Sequence, residues 1–155
     1  MYRRLLEERI PRVEFLVTSR PGDERALAEQ ALERGADVVA AAGGDGTWSN
    51  VADRVVASGR DDVAFAMLPN GTGNDFGRSL GFSPSDASEA VHVLARGDTR
   101  RVDVGLVETL SASAHTPERL ETRHFLNLVG FGFDIAVIDA AADAVFFKGE
   151  LLYKV

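Results

Sequence analysis

Apolar residues in the first hundred positions fall into short continuous runs separated by amphipathic stretches, and this rhythm sets the predicted elements. VEFLVT, Val13 to Thr18, is a β-type run bounded by Pro11 on one side and by Arg20-Pro21-Gly22 on the other. Asp23 to Arg34 has helical spacing: Leu27, Ala31 and Leu32 share a face, acids occupy the first turn, and Gly35 makes a stop. DVVAAA, Asp37 to Ala42, is a second buried-strand run. Behind it Thr47 is placed to cap a helix running to about Ser58, with Val51, Val55 and Val56 on the 3.6 period. VAFAML, Val63 to Leu68, is the third strand. A short helix begins near Asp75, and Pro84 and Ser85 open another that reaches about Ala95 and closes at Gly97.

Strands that are continuously apolar, rather than alternating, belong to a parallel sheet covered on both faces. The predicted fold class is therefore α/β, an open three-layer domain with a mostly parallel sheet over residues 1–98. The texture changes after Gly97. RVDVGLVET and HFLNLVGFGF read as strands, the polar stretch Leu110 to Glu121 as a hairpin-like loop between them, and Asp134 to Phe147 as a helix. A second structural unit is expected to begin near residue 99 and to be unfinished at Val155.

Composition narrows the function. The 155 residues are 45% hydrophobic and 26% charged, enough to bury a real core. The absence of cysteine excludes disulfides, thiolate zinc sites, iron–sulfur clusters and cysteine nucleophiles. The three histidines, His92, His115 and His124, are too dispersed to suggest a histidine-built metal site. A net charge of −7 without a basic stripe argues against nucleic acid as a partner. The start, MYRRLLEERIP, lacks the apolar stretch of a signal peptide. Ile135 to Phe147 is broken by Asp139 and Asp143 and is too short to span a bilayer. A cytoplasmic location is expected.

Both glycine-rich loops fall at the carboxyl ends of predicted strands, where open α/β sheets bind ligands. In GGDGT, Gly43 to Thr47, the glycines let backbone approach a ligand, and the next helix points its free N–H groups at the same spot. Asp45 would then face a polyanion, which calls for Mg²⁺ between carboxylate and phosphates. A tight strand-to-helix turn with Asp45 as a cap accounts for the same residues. LPNGTGND, Leu68 to Asp75, repeats the device with Pro69, Gly71, Gly73, Asn74 and Asp75. Its glycine spacing departs from the dinucleotide fingerprint, and no Walker sequence occurs in the chain.

Taken with their order, these residues resemble the diacylglycerol kinase catalytic domain family, which belongs with the NAD kinases in one superfamily. The likeness rests on GGDGT, then LPNGTGNDFGRSLG, DVG at Asp103–Gly105, FLNLVGFGFD at Phe125–Asp134, and KGELLY at Lys148–Tyr153. It covers roughly Val13 to Tyr153. GGDGT alone is shared with NAD kinases, whereas GTGNDF is more discriminating. The resemblance implies ATP-dependent phosphoryl transfer, with Mg²⁺, to a lipid hydroxyl such as that of diacylglycerol. It implies Gly43, Gly44, Asp45, Gly46 and Thr47 as the nucleotide-phosphate cradle. Pro69, Gly71, Thr72, Gly73, Asn74 and Asp75 would line the same cleft, with Asp45, Asp75 and Asp103 as magnesium ligands through water. The general base would lie beyond Tyr153. Transient contact with a membrane surface and a homodimer are compatible with it. A non-catalytic nucleotide-binding relative and an NAD kinase-like enzyme are the alternative readings.

Three departures stand out. Many family members continue GGDGT with Leu-Asn-Glu-Val, where this chain has Trp48, Ser49, Asn50 and Val51, so an acid is lost. The family's first strand and its basic Asn-Pro loop have no counterpart ahead of VEFLVT; Arg20 is a partial substitute or, as the preferred reading, an ordinary surface arginine. The long β-rich half is expected after Tyr153. Trp48 is expected to pack in the core rather than stack on a base, and His92 and His124 receive no role.

Overall fold

A computed structural model describes residues 1–82, 86–113, 116–130 and 132. Its elements are α1 (Tyr2–Arg9), α2 (Asp23–Glu33), β1 (Val38–Gly43), α3 (Asp45–Ala57), β2 (Ala64–Pro69), α4 (Asp75–Ser79), α5 (Ala87–Arg96), β3 (Gly105–Ser113) and β4 (Thr116–Phe125). The chain is thus mixed α/β. β1 and β2 pair in parallel, from Val38 opposite Ala64 to Gly43 opposite Pro69. β3 and β4 form an antiparallel hairpin.

The register decides the layers. Val39 and Ala41 on β1, with their partners Phe65 and Met67, meet Ala28 and Leu32 of α2 and Trp48, Val51 and Val55 of α3. Leu68 belongs to the opposite face and packs against Leu6 of α1 and Ala90 and Val91 of α5. Two helices therefore cover each face of β2, as continuous apolar strands require. Trp48 is fully buried, and its indole N–H donates to the Ala41 carbonyl at 3.0 Å. Its expected core role holds.

Several expectations change. VEFLVT forms no strand and pairs with none among the described residues; Val13 and Phe15 pack beside α1 and α5, while Val17 is 75% exposed. An apolar run fixes neither backbone pairing nor full burial, and no residue of Val13 to Thr18 is fully buried. MYRRLLEER, assigned no element, is a helix because Leu5 and Leu6 find the second core. Gly44, not Thr47, is the N-cap of α3, since the chain turns helical as soon as the strand ends. Asp86 caps α5 by accepting from the Glu89 N–H at 2.9 Å, and the residues expected to open it, Pro84 and Ser85, lie outside the described ones. Gly97 does close α5, in the left-handed conformation at φ 71°.

The largest change concerns the polar stretch Leu110 to Glu121. The hairpin expected there is present, but the stretch read as its loop is paired strand, with Leu110 opposite Leu120 and Thr109 opposite Glu121. A two-stranded ribbon facing water needs no continuous apolar run, and Leu106, Leu110 and Leu120 are all more than half exposed. Gly105 is obligatory there: a Cβ would lie 2.2 Å from the Phe125 ring laid across it. The expected helix Asp134 to Phe147, with Asp134, Asp139, Asp143, Phe146 and Phe147, and the KGELLY segment lie outside the described residues, as does His115.

Candidate functional site

Parallel pairing sets the carboxyl ends of β1 and β2 side by side, so the two glycine loops meet. The Asn70 N–H donates to the Gly43 carbonyl at 2.9 Å, carrying the ladder into the loops. Beyond it, backbone lies on backbone. A Cβ on Gly71 would stand 2.4 Å from the Gly44 Cα, and one on Gly43 would stand 2.6 Å from the Thr47 Cβ. No residue with a side chain fits either place.

The first loop ends in a free helix terminus. Gly44 offers no side-chain cap, and the first bond of α3 is Trp48 N–H to the Gly44 carbonyl at 3.0 Å. The N–H groups of Asp45, Gly46 and Thr47 have no partner among the described residues. They point out of a 13-residue helix, where the dipole favours an anion. Gly46 is exposed, and nothing stands within 4 Å of where its Cβ would be.

The second loop is braced from within. Asn74 is 2% exposed and left-handed at φ 55°. Its amide donates to the Gly71 carbonyl at 2.8 Å and accepts from the Gly71 N–H at 3.2 Å. The buried Pro69 offers its carbonyl to the Tyr2 hydroxyl at 2.5 Å, so α1 pins this loop from behind. Burial, then Asp86, raises the Tyr2 pKa and keeps that hydroxyl a donor. Thr72 is exposed. Gly77 is buried against Trp48, whose ring would be 3.3 Å from a Cβ.

Asp45 joins the loops. One carboxylate oxygen accepts from the Asp75 N–H and the other from the Phe76 N–H, each at 3.1 Å. Asp45 does act as a cap, but of α4, across the junction. Its second lone pairs remain open toward Gly73. Oxygens of Asp45 and Asp75 stand 3.1 and 3.5 Å from the point a Gly73 Cβ would occupy. Arg78 lies 3.4 Å from the other Asp75 oxygen. Two like charges beside an open helix N-terminus match the chemistry of a hard cation bridging carboxylate and phosphate oxygens. Asp103 is exposed, just ahead of β3, and does not complete this pair: among the described residues no group of three or more His, Asp or Glu side chains converges to hold a metal.

A cleft of about 470 Å³ opens beside the first loop, lined by Thr18, Ser19, Arg20, Pro21, Gly22, Glu24, Ala42 and Thr47. Apart from Arg20, the sequence alone marks Thr18–Gly22 only as the end of the VEFLVT run. The missed signal was its position directly after an apolar run, the place where Gly43 and Pro69 also stand. Asp23 accepts from the Ser19 hydroxyl at 2.6 Å, from the Ser19 and Arg20 N–H groups, and from the Arg20 guanidinium. The Ser19 hydroxyl first, then its backbone N–H, holds the Asp23 pKa far below the usual carboxylate range. The acid missing at Asn50 has a counterpart nearby: the Asn50 amide donates to Glu24 of α2 at 2.7 Å.

Asp53, also unforeseen, is 2% exposed in the middle of α3. Arg25 of α2 lies 2.7 Å from one oxygen and Arg54 2.5 Å from the same one. The other accepts the His124 backbone N–H at 2.8 Å and faces His124 Nδ1 at 3.2 Å. Burial acts to raise its pKa, but the His124 N–H, Arg54 and the His124 ring outweigh burial and hold it at about 2.

No helix of the described residues is long and apolar enough to cross a membrane. Residues 1–107 match the family model of the diacylglycerol kinase catalytic domain. Similar proteins include a diacylglycerol kinase of Staphylococcus haemolyticus, strain JCSC1435, 37% identical over 115 residues, covering 74% of this chain and 30% of that protein. A diacylglycerol kinase of Staphylococcus saprophyticus is 35% identical over 115 residues, with 74% and 33% covered. One of Staphylococcus epidermidis is 36% identical over the same length, with 74% and 32% covered. The chain spans about a third of the length of the curated relatives it matches. With a family model matched over 107 of 155 residues, the chain belongs to the diacylglycerol kinase catalytic domain family.

Proposed function

We propose that this chain is the nucleotide-binding part of a lipid kinase that transfers a phosphoryl group from ATP to the hydroxyl of a diacylglycerol-like lipid. The observation that carries the reading is the Asp45–Asp75 carboxylate pair set beside the open N-terminus of a long helix. Gly43, Gly44, Gly46 and Thr47 form the phosphate cradle, and Gly71, Thr72, Gly73 and Asn74 form the opposite wall, with Pro69 at its base. The Thr18–Gly22 turn encloses the rest of the nucleotide, since its cleft has the volume of a small-ligand site. Mg²⁺ bound by Asp45 and Asp75 would neutralise the charge of the transferred group, the main demand of phosphoryl transfer. Asp103 would join through water. The α/β unit of residues 1–98 holds the nucleotide, and the unit beginning near residue 99 belongs to the lipid side. The enzyme would work in the cytoplasm and touch a membrane surface transiently.

A second reading has its own support. Both Asp45 oxygens already serve backbone N–H groups. A relative that has lost nucleotide binding as well as catalysis, distinct from the nucleotide-binding alternative above, would keep that junction for stability alone. Titration calorimetry and chemical-shift mapping with ATP or ADP, each with and without Mg²⁺, separate the two. The kinase reading expects metal-dependent binding with shifts at Gly46, Thr47, Gly73 and Asp75. Absence of any effect at either loop overturns it in favour of the second.

A further inference from the structure

The Asp53 cluster ties three elements through one carboxylate: α2 by Arg25, α3 by Arg54, and β4 by the backbone and ring of His124. Arg54 is steadied in turn by Glu29 of α2 at 3.2 Å, and Arg25 reaches the Asn50 side chain at 3.4 Å. A carboxylate this buried is costly unless paired and hydrogen-bonded on every side, so the elements that supply those partners are fixed around it. Neither glycine loop uses the cluster.

Its position gives it a purpose. Asp45 and Asp53 ride on the same helix, eight residues apart, or about 12 Å along a rigid axis. His124 stands opposite Leu106 in the hairpin register, and Asp103 precedes β3 by two residues. Leu106 at this root is as exposed as Leu120 farther out, so apolar burial of that leucine does not hold the root; the bonds to Asp53 do. The root of the hairpin is thus referred to the loop-bearing helix through a single charge.

We propose that Asp53 is a positioning residue: it latches the root of the β3–β4 hairpin to α3 and so fixes where Asp103 stands relative to Asp45 and Asp75. The proposal deepens the kinase reading and rests on it for the role of Asp103. The latch itself does not need that reading.

The test uses the ¹⁵N-labelled 155-residue chain, with Mn²⁺–ADP as the probe and amide hydrogen exchange as an independent readout. In the parent chain Mn²⁺–ADP broadens the amides of Gly46, Gly73, Val104 and Gly105. In Asp53→Asn the broadening persists at Gly46 and Gly73 and is lost at Val104 and Gly105. The β3–β4 amides then exchange roughly tenfold faster, while β1–β2 amides stay protected. A folded Asp53→Asn with hairpin exchange and Val104 broadening both unchanged overturns the proposal. If that variant does not fold, His124→Ala, which keeps the backbone N–H bond, carries the same comparison with the same two outcomes. If the parent chain shows broadening at the loops but none at Val104 or Gly105, the placement of Asp103 is refuted. If it shows none anywhere, the kinase reading fails with it, and the exchange result alone decides whether Asp53 is a latch.

Discussion

The two glycine loops look alike in sequence and are built for different work. Each ends a parallel strand, carries at least two glycines within four residues and opens a helix at an aspartate. The first opens a 13-residue helix whose leading N–H groups are unused. The second opens a five-residue helix whose leading N–H groups are already taken by Asp45. Only the first leaves helix N–H groups without a partner among the described residues, as an anion site requires. The second is a wall, held closed by the first loop's own carboxylate and by Asn74. Repetition of a motif therefore does not imply repetition of a role; what matters is which terminus is left unsatisfied.

The sharpest way to break this arrangement is Gly71→Ala. Its Cβ would press on the Gly44 Cα, backbone against backbone, with no flexible atom to yield. A loss of roughly 3 kcal/mol in urea unfolding is expected, together with loss of nucleotide binding. Unchanged stability would mean that the loops are not in contact. Asp45→Asn is next. Its carbonyl oxygen keeps one N–H of α4 while its NH₂ confronts the other, so a cost of about 1–3 kcal/mol is expected. Metal-dependent nucleotide affinity falls with it, whereas metal-free binding at α3 falls less. Calorimetry with and without Mg²⁺ reads the difference.

Gly46→Ala sharpens the contrast. The site has open space, so stability should stay within about 0.5 kcal/mol or improve. Nucleotide affinity should nevertheless drop, because the methyl group intrudes on the anion site. Equal affinity would remove α3 from the site. Acid tests the helix behind the loops. The Asp53 carboxyl is held at about 2 in the folded chain, below the ordinary 3.8. Its contribution is complete above pH about 4 and drains away as pH falls through about 2. Unfolding followed from pH 5 to 2 should show this loss, reduced in Asp53→Asn. The smallest effect is that of salt. With a net charge of −7, thermal stability should rise modestly with KCl, which screens repulsion beyond about 8 Å at physiological strength.

The sequence disclosed the first half of this picture better than the second. Val39, Ala41 and Leu68 lie in unbroken apolar runs and are buried, although Val38 and Val17 in such runs are exposed. The glycine loops were equally visible, since the Thr47 side chain at Gly43 and the Gly44 backbone at Gly71 leave no room for a Cβ. The hairpin was hidden because Thr109, Glu121 and Arg123 pair through backbone while facing water, and polarity then masks a strand. Asp53 was hidden for a different reason. It reads as one more solvated acid on a helix until Arg25, 28 residues earlier, and His124, 71 residues later, are brought to it. Likewise, nothing local told that Asp45 would cap a helix thirty residues on. Contacts between distant polar groups have no period, so a linear pattern cannot announce them.

The tryptophan of α3 has an optical consequence. Trp48 is the chain's single tryptophan, and its ring is sealed from solvent between Ala41, through the indole hydrogen bond, and Gly77 of the second loop. Its emission therefore reports one place, the seam beneath both loops, without a label or a second emitter to subtract. Closing of the seam around a nucleotide, or its parting in Gly71→Ala, should shift the colour and polarisation of that emission before the rest of the fold responds, which turns the core itself into the instrument that watches the site.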